Sequence, residues 1–329
     1  MKLWARAVAP ISALLLAANV AGAEPAKVRV GVVMKALDNP FFVAMYEGVR
    51  AEAGHRAVNA TVRAASGRYD PDGQAVLARK LAAGKHDCYV ANPVTATNLI
   101  AALRGASGPI VNVDSPIDPA AAKRAGVRIR TFIGTNDVAA GRLAAATMMS
   151  LLPSGGTVAL IGGTADSVNS NRRLRGFEQG IRGTQVRVAA RVNADYARAT
   201  AEADAERILH LHPRLSGFFA ANDEMALGIV DAVRSAGKTG HVKIIGVDGI
   251  PDALDAVRDG SISATVSQYP YVMGQMGVEA CVAAVRGASL PARVDAPMAV
   301  VTKSNVALAS ARFPRPFQRY ADPFERLVR

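Results

Sequence analysis

Hydrogen-bonding side chains recur at the ends of apolar runs in this 329-residue chain. Lys35 and Asn39, Asn92, Asp114, Tyr196, Asn222 with Asp223, Asp248 and Gln268 each follow a short run of strand-forming residues. Carboxylates accept hydrogen bonds and amides both donate and accept them, so the set suits a ligand rich in hydroxyl groups. The stretch Asp38-Asn39-Pro40-Phe41-Phe42 adds two aromatic faces beside an amide and a carboxylate, a combination that fits a sugar. Taken singly, each Asn or Asp also fits an ordinary turn or helix cap. Their recurrence together with Phe41, Phe42 and Tyr196 favours binding.

The elements that must hold these residues alternate. Strands are expected at Val28 to Met34, Thr61 to Ala65, Cys88 to Ala91, Ile110 to Val113, Thr131 to Gly134, Thr157 to Ile161, Val186 to Val192, Gly217 to Ala220, Lys243 to Val247 and Ala264 to Ser267. Helical spacing lies between them, at Phe41 to Gly54, Asp72 to Ala83, Ala96 to Arg104, Val138 to Leu151, Asn171 to Arg182, Ala199 to His210, Glu224 to Ala236, Asp252 to Asp259 and Tyr271 to Arg286. Pro40 suits the first turn of its helix, where the N–H it lacks has no partner. Such alternation predicts an α/β protein with doubly wound parallel sheets and right-handed crossovers. Ligands of open α/β sheets bind outside the carboxyl ends of the strands, where the polar residues fall. The length gives about two domains, each with its own core.

Composition narrows the function. The net charge of +12 would suit nucleic acid, but Arg and Lys are dispersed among acids without a basic block, so none is expected. Lys2 and Arg6, the apolar run Val8 to Val20 and the small residues Ala21-Gly22-Ala23 read as a signal peptide cleaved before Glu24, so the mature protein is expected to be exported and soluble. Cys88 and Cys281 have no metal or redox spacing and are expected to be buried free thiols, although export permits a bridge. The five histidines are scattered, which speaks against a metal site. There is no Gly-x-Ser-x-Gly elbow and no phosphate loop beyond the Gly155-Gly156 and Gly162-Gly163 pairs, so no catalytic residue and no cofactor are assigned. Asp223-Glu224 is no catalytic pair, because adjacent helical residues point apart. Arg312 to Arg329 mixes five arginines with prolines and aromatics and reads as an extension that packs on the surface or stays mobile.

Four fragments carry a family resemblance: Asp38-Asn39-Pro40-Phe41-Phe42, the run from Phe132 to Gly141 (FIGTNDVAAG), Asn222-Asp223-Glu224-Met225-Ala226-Leu227-Gly228, and Gly246-Val247-Asp248-Gly249-Ile250-Pro251. In order and spacing the chain resembles the ribose-type periplasmic sugar-binding proteins of ABC transporters. Lys35 before Asn39, and Ala236-Gly237-Lys238-Thr239-Gly240 ahead of Asp248, make it most similar to the allose binders of that family. The resemblance implies two α/β lobes joined by a three-strand hinge with the ligand between them. One lobe would be residues 27–135 plus 269–297 and the other 136–268 plus 298–311, after a signal peptide at 1–23 and before the extension 312–329.

Carried over residue by residue, the resemblance implies sugar hydrogen bonds from Asn39, Asp114, Arg173, Asn222, Asp248 and Gln268, stacking from Phe41 and Phe42, and a third aromatic position at Tyr196. Two departures bear on the ligand: Lys35 replaces a small hydroxyl of the ribose binders, and Ser115 stands where they place an arginine. They argue for a hexose or polyol over ribose, with a sugar acid open if Lys35 faces it; an ordinary exposed lysine is the plainer alternative for Lys35. The implied protein is a periplasmic monomer that delivers its ligand to an ABC permease at the inner membrane, with a chemoreceptor as a possible second partner. A sensor of a sugar-like signal is the alternative within the binding class. The ligand domain of a transcriptional repressor shares the fold, but would carry a helix-turn-helix where this chain has its export signal.

Overall fold

Strands and helices alternate from residue 29 to residue 295 in the computed structural model, which describes residues 27–67 and 70–328. The expected signal peptide lies outside the described residues. The first half runs β1 (Arg29–Met34), α1 (Pro40–His55), β2 (Asn59–Ala64), α2 (Pro71–Ala83), β3 (Cys88–Ala91), α3 (Ile100–Leu103), β4 (Ile110–Val113), α4 (Pro119–Arg124) and β5 (Ile129–Gly134). The second runs α5 (Asp137–Leu151), β6 (Gly156–Gly162), α6 (Val168–Gly180), β7 (Val186–Asn193), α7 (Arg198–Leu211), β8 (Gly217–Ala220), α8 (Asp223–Ser235), β9 (Lys243–Asp248), α9 (Pro251–Asp259) and β10 (Ala264–Gln268). The chain then returns through α10 (Pro270–Val285), β11 (Arg293–Asp295), β12 (Met298–Val301) and α11 (Val306–Arg312).

Two six-stranded sheets result, ordered β11-β5-β4-β3-β1-β2 and β12-β10-β9-β8-β6-β7. The order is the same in both: the second strand lies outside the first, and the third to fifth continue on the other side. Strand order therefore reverses between β1 and β3 and again between β6 and β8, and the crevice at such a reversal is where open α/β sheets bind ligands. Strands β1, β3, β4, β8 and β10 are nearly or wholly buried, as expected where helices cover both faces. All pairings are parallel except β10 with β12, an antiparallel edge that the alternation alone does not reveal.

The chain passes between the sheets at 135–136, at 269 and at 296–297. After the second passage α10 packs on β3, β4 and β5 of the first sheet. Here the expected free thiols are overturned: Cys88 of β3 and Cys281 of α10, both wholly buried, form a disulfide with Cα atoms 5.6 Å apart. Their separation of 193 residues hid the pairing, which only the return of α10 onto the first sheet creates. The helix expected at 96–104 shortens to Ile100–Leu103, because the Thr95 and Asn98 side chains bond each other's backbone N–H groups and hold that stretch as a turn. The extension packs rather than trailing free: Phe324 is wholly buried and Val328 sits against Val282 and Ala283 of α10.

Candidate functional site

The carboxyl ends of both sheets face a cavity of about 300 Å³ between the lobes. Lys35, Asn39, Phe41, Phe42, Asp114, Arg173, Tyr196, Asn222, Asp248 and Gln268, the ten residues singled out in the sequence, all line it.

On the first-lobe side, Asn39 caps α1: its Oδ1 accepts from the Phe41 N–H at 2.8 Å, which leaves Nδ2 for the cavity. The next two residues place Phe41 and Phe42 edge to face, with centroids 5.2 Å apart. Asp114 follows β4 and carries a left-handed backbone, φ 62°. Its Oδ2 accepts from Asn92 Nδ2 at 2.8 Å, Ser115 Oγ at 3.0 Å and Lys35 Nζ at 3.3 Å, while Oδ1 has no protein partner among the described residues. Lys35 also donates to Ser115 Oγ at 2.6 Å and lies 5.2 Å from the centre of the Phe42 ring. It is therefore a cavity residue with its charge matched, not an ordinary exposed lysine.

Across the cleft, α5 and α6 pack with almost no side chain between them. A Cβ on Gly141 would stand 2.0 Å from the Arg173 carbonyl, and one on Gly176 would stand 2.1 Å from the Val138 carbonyl. That approach lets Arg173 donate through Nε to Asp137 Oδ1 at 2.8 Å and through Nη1 to the Ala221 carbonyl at 2.8 Å, with Asp248 Oδ1 at 3.5 Å. Gln268 Nε2 donates to the same Asp248 oxygen at 2.6 Å, and Gln268 Oε1 accepts from Thr135 Oγ1 at 2.5 Å, tying two hinge passages together. Asn222 caps α8 by accepting from the Met225 N–H at 3.0 Å. Tyr196, also left-handed at φ 57°, bonds through its hydroxyl to Ser167, the cap of α6. Asn169 of α6 donates to the Asp114 backbone carbonyl at 3.2 Å and so spans the cleft.

Burial governs the titration of this wall. It pushes Asp137 up to about 6 against the opposing pull of Arg173. Asp248 is raised in the same way, by burial and by its neighbour Asp223, with Arg173 opposing. Burial alone would discharge Arg173, but Asp137 and Asp248 together outweigh it and raise its pKa. Tyr196 is pushed up to about 12 by burial and stays a neutral hydroxyl.

Three contributors were not among the residues that the resemblance carried over, and two of them, Asn92 and Asp223, stood in the strand-end set but do not line the cavity. Asp137, inside a quoted fragment, resembles a first-turn helix acid, and only the fold pairs it with Arg173. Asn92 appeared among the strand ends without a function, and it orients Asp114. Asp223 is wholly buried: Oδ2 accepts from the Gly249 and Ile250 N–H groups and Oδ1 from Thr265, so it shapes the turn after Asp248 without lining the cavity.

The described arrangement has counterparts. The periplasmic binding protein domain model matches residues 30–289. The chain is 33% identical over 253 residues to the D-allose-binding periplasmic protein of Escherichia coli K12, across 75% of this chain and 81% of that one. It is 29% identical over 277 residues to the ribose import binding protein RbsB of Bacillus subtilis 168, across 83% and 87%. An ABC transporter periplasmic solute-binding protein from Actinobacillus succinogenes with bound D-allose aligns with TM-score 0.81 and 27% identity, over 85% of this chain and 99% of that one. An ABC transporter solute-binding protein from Agrobacterium vitis with bound D-fucose aligns with TM-score 0.77 and 27% identity, over 84% and 96%.

Proposed function

Because the chain belongs to the periplasmic binding protein family, we propose that it captures a neutral monosaccharide or polyol between its lobes and delivers it to an ABC importer. One observation carries the reading: five polar side chains of the cavity, Asn39, Asn222, Asp114, Asp248 and Arg173, are each held at one end and open at the other. Asn39 and Asn222 spend Oδ1 on caps and keep Nδ2; Asp114 and Asp248 are anchored through one oxygen and keep the second; Arg173 keeps Nη2. A fixed rim of donors and acceptors beside Phe41 and Phe42 matches hydroxyls around an apolar ring face. Such preorganisation cuts the ordering cost of binding.

Charge separates neutral sugars from sugar acids. Lys35 is matched by Asp114, and Arg173 by Asp137 and Asp248, so among the described residues lining the cavity no cation is left over for a ligand carboxylate. The reading is of a binder that closes by hinge motion, a population shift toward the closed state. Export with cleavage before Glu24, a monomeric state and docking to a chemoreceptor belong to the same proposal.

A thermal-shift panel of neutral sugars, polyols and sugar acids on the mature chain tests it. Saturation at about 100 times Kd adds roughly 2.7 kcal/mol of stability. A shift with at least one neutral compound, lost in Asp114→Ala, is expected; no shift across the panel, or shifts with sugar acids alone, overturns the reading.

A further inference from the structure

Residues 313–328 form neither strand nor helix, yet they engage both lobes. Their root is in the second lobe: α11 follows β12, packs on α9, and receives a hydrogen bond from Arg258 Nη2 to Ser310 Oγ at 2.8 Å. The segment then meets the hinge. Phe313 and Phe317 line a small cleft together with Leu254 of α9 and with Gln268 and Tyr269 at the second passage. The Phe317 ring stands edge-on to Tyr269 with centroids 6.0 Å apart, and the Arg315 guanidinium lies 5.7 Å from the Tyr271 ring at the start of α10. Its far end is pinned to the first lobe. Phe324 is wholly buried, and Val328 sits among Val282 and Ala283, its carbonyl accepting from Arg56 Nη1 at 3.2 Å and Arg286 Nη1 at 2.9 Å.

From this path we infer that residues 313–328 act as a hinge brace, a fourth link between the lobes that limits how far they swing apart. The three passages at 135–136, 269 and 296–297 act as a flexible joint. A bend there that separates α9 from the start of α10 must pull Phe313 and Phe317 out of the cleft between them. Buried apolar area opposes that movement, because it would have to be exposed to water. The brace works without ligand, so it neither depends on nor tests the sugar-binding proposal.

Spin-label distance measurement on the ligand-free, disulfide-bonded mature chain reads it directly. Labels at E47C on α1 and E206C on α7, both exposed, span the lobes, and the native cysteines are unavailable to them because they are paired. The full chain is expected to give one narrow distribution. A chain ending at Arg312, and a full-length F317A/V328D variant that removes the edge-on ring and places a carboxylate in the apolar seat, should both shift to longer, broader distances. Where truncation prevents folding, the double variant decides: a distribution like that of the full chain overturns the brace, and a longer one supports it. Unchanged distances in both variants overturn it as well.

Discussion

In the first lobe the cavity wall is aromatic, with one lysine–carboxylate pair whose lysine side chain is 15% exposed; in the second it is an ionic web around Arg173, 5% exposed, with Asp137 and Asp248. The two lobes share a strand order but are held rigid by different means. The first is stapled by the Cys88–Cys281 disulfide between sheet and helix, while the second relies on charges removed from water and matched to one another. Rigidity at a cavity wall can thus come from covalent closure behind it or from electrostatic closure within it. On the proposed function, only the second kind couples stability directly to recognition, because the same atoms would serve both.

The contrast is broken most sharply at Arg173. Replacing it with alanine leaves Asp137 and Asp248 buried without their cation, and removing one partner of a buried pair costs about 3–5 kcal/mol. Urea denaturation of Arg173→Ala should show a loss of that size together with loss of binding. A stable variant that still binds would mean that the second wall is not held by charge. Next in size is the staple. Reduction, or the Cys88→Ser/Cys281→Ser pair, should cost about 2–5 kcal/mol. Hydrogen exchange should rise first in β3 and α10 and leave α5 and α6 unchanged; equal loss of protection in both lobes would erase the distinction.

The third effect is a slope with pH and concerns Glu279, buried on α10 beside Arg56. Its carboxyl is pushed up to about 9, first by burial and then by Asp322 and Glu52, with Arg56 opposing. An unfolded glutamate titrates near 4.5, so between these two values the unfolded chain has released a proton that the folded one retains. Stability contributed by this group is therefore fully present below about 4.5 and is lost as pH rises toward 9. Glu279→Gln should flatten the decline of stability with pH measured by urea unfolding from pH 5 to pH 9. A slope unchanged by the substitution would remove Glu279 as its source.

Much of the cavity was legible because its residues serve two purposes. Asn39 and Asn222 are at once helix caps, which sequence patterns detect, and cavity donors, so reading apolar runs and their endings located both. Asp114 follows a four-residue strand and Asp248 ends a six-residue one, and both were reached the same way. Arg173 sits within a helix and has no such mark; only the family resemblance singled it out. Its partner Asp137 lies 36 residues earlier and looks like any first-turn acid, because pairing across helices leaves no local trace. The disulfide and the short strands β11 and β12 escaped for the same reason: each is defined by a partner far away in sequence. The extension had no amphipathic period because it is not a helix; its aromatics fit individual recesses on two lobes.

The left-handed backbones at Asp114 and Tyr196, with Asp248 at φ 134°, set evolution and engineering at odds. Each such conformation costs a non-glycine residue about 1–3 kcal/mol. Glycine would relieve it while deleting the open oxygens of Asp114 and Asp248 and the aromatic ring of Tyr196. A variant library sorted only on melting temperature would drift toward glycine at 114, 196 and 248, yielding hardier molecules that, on the proposed function, no longer hold a ligand. Any biosensor built on this scaffold has to be selected for thermal endurance and ligand response together.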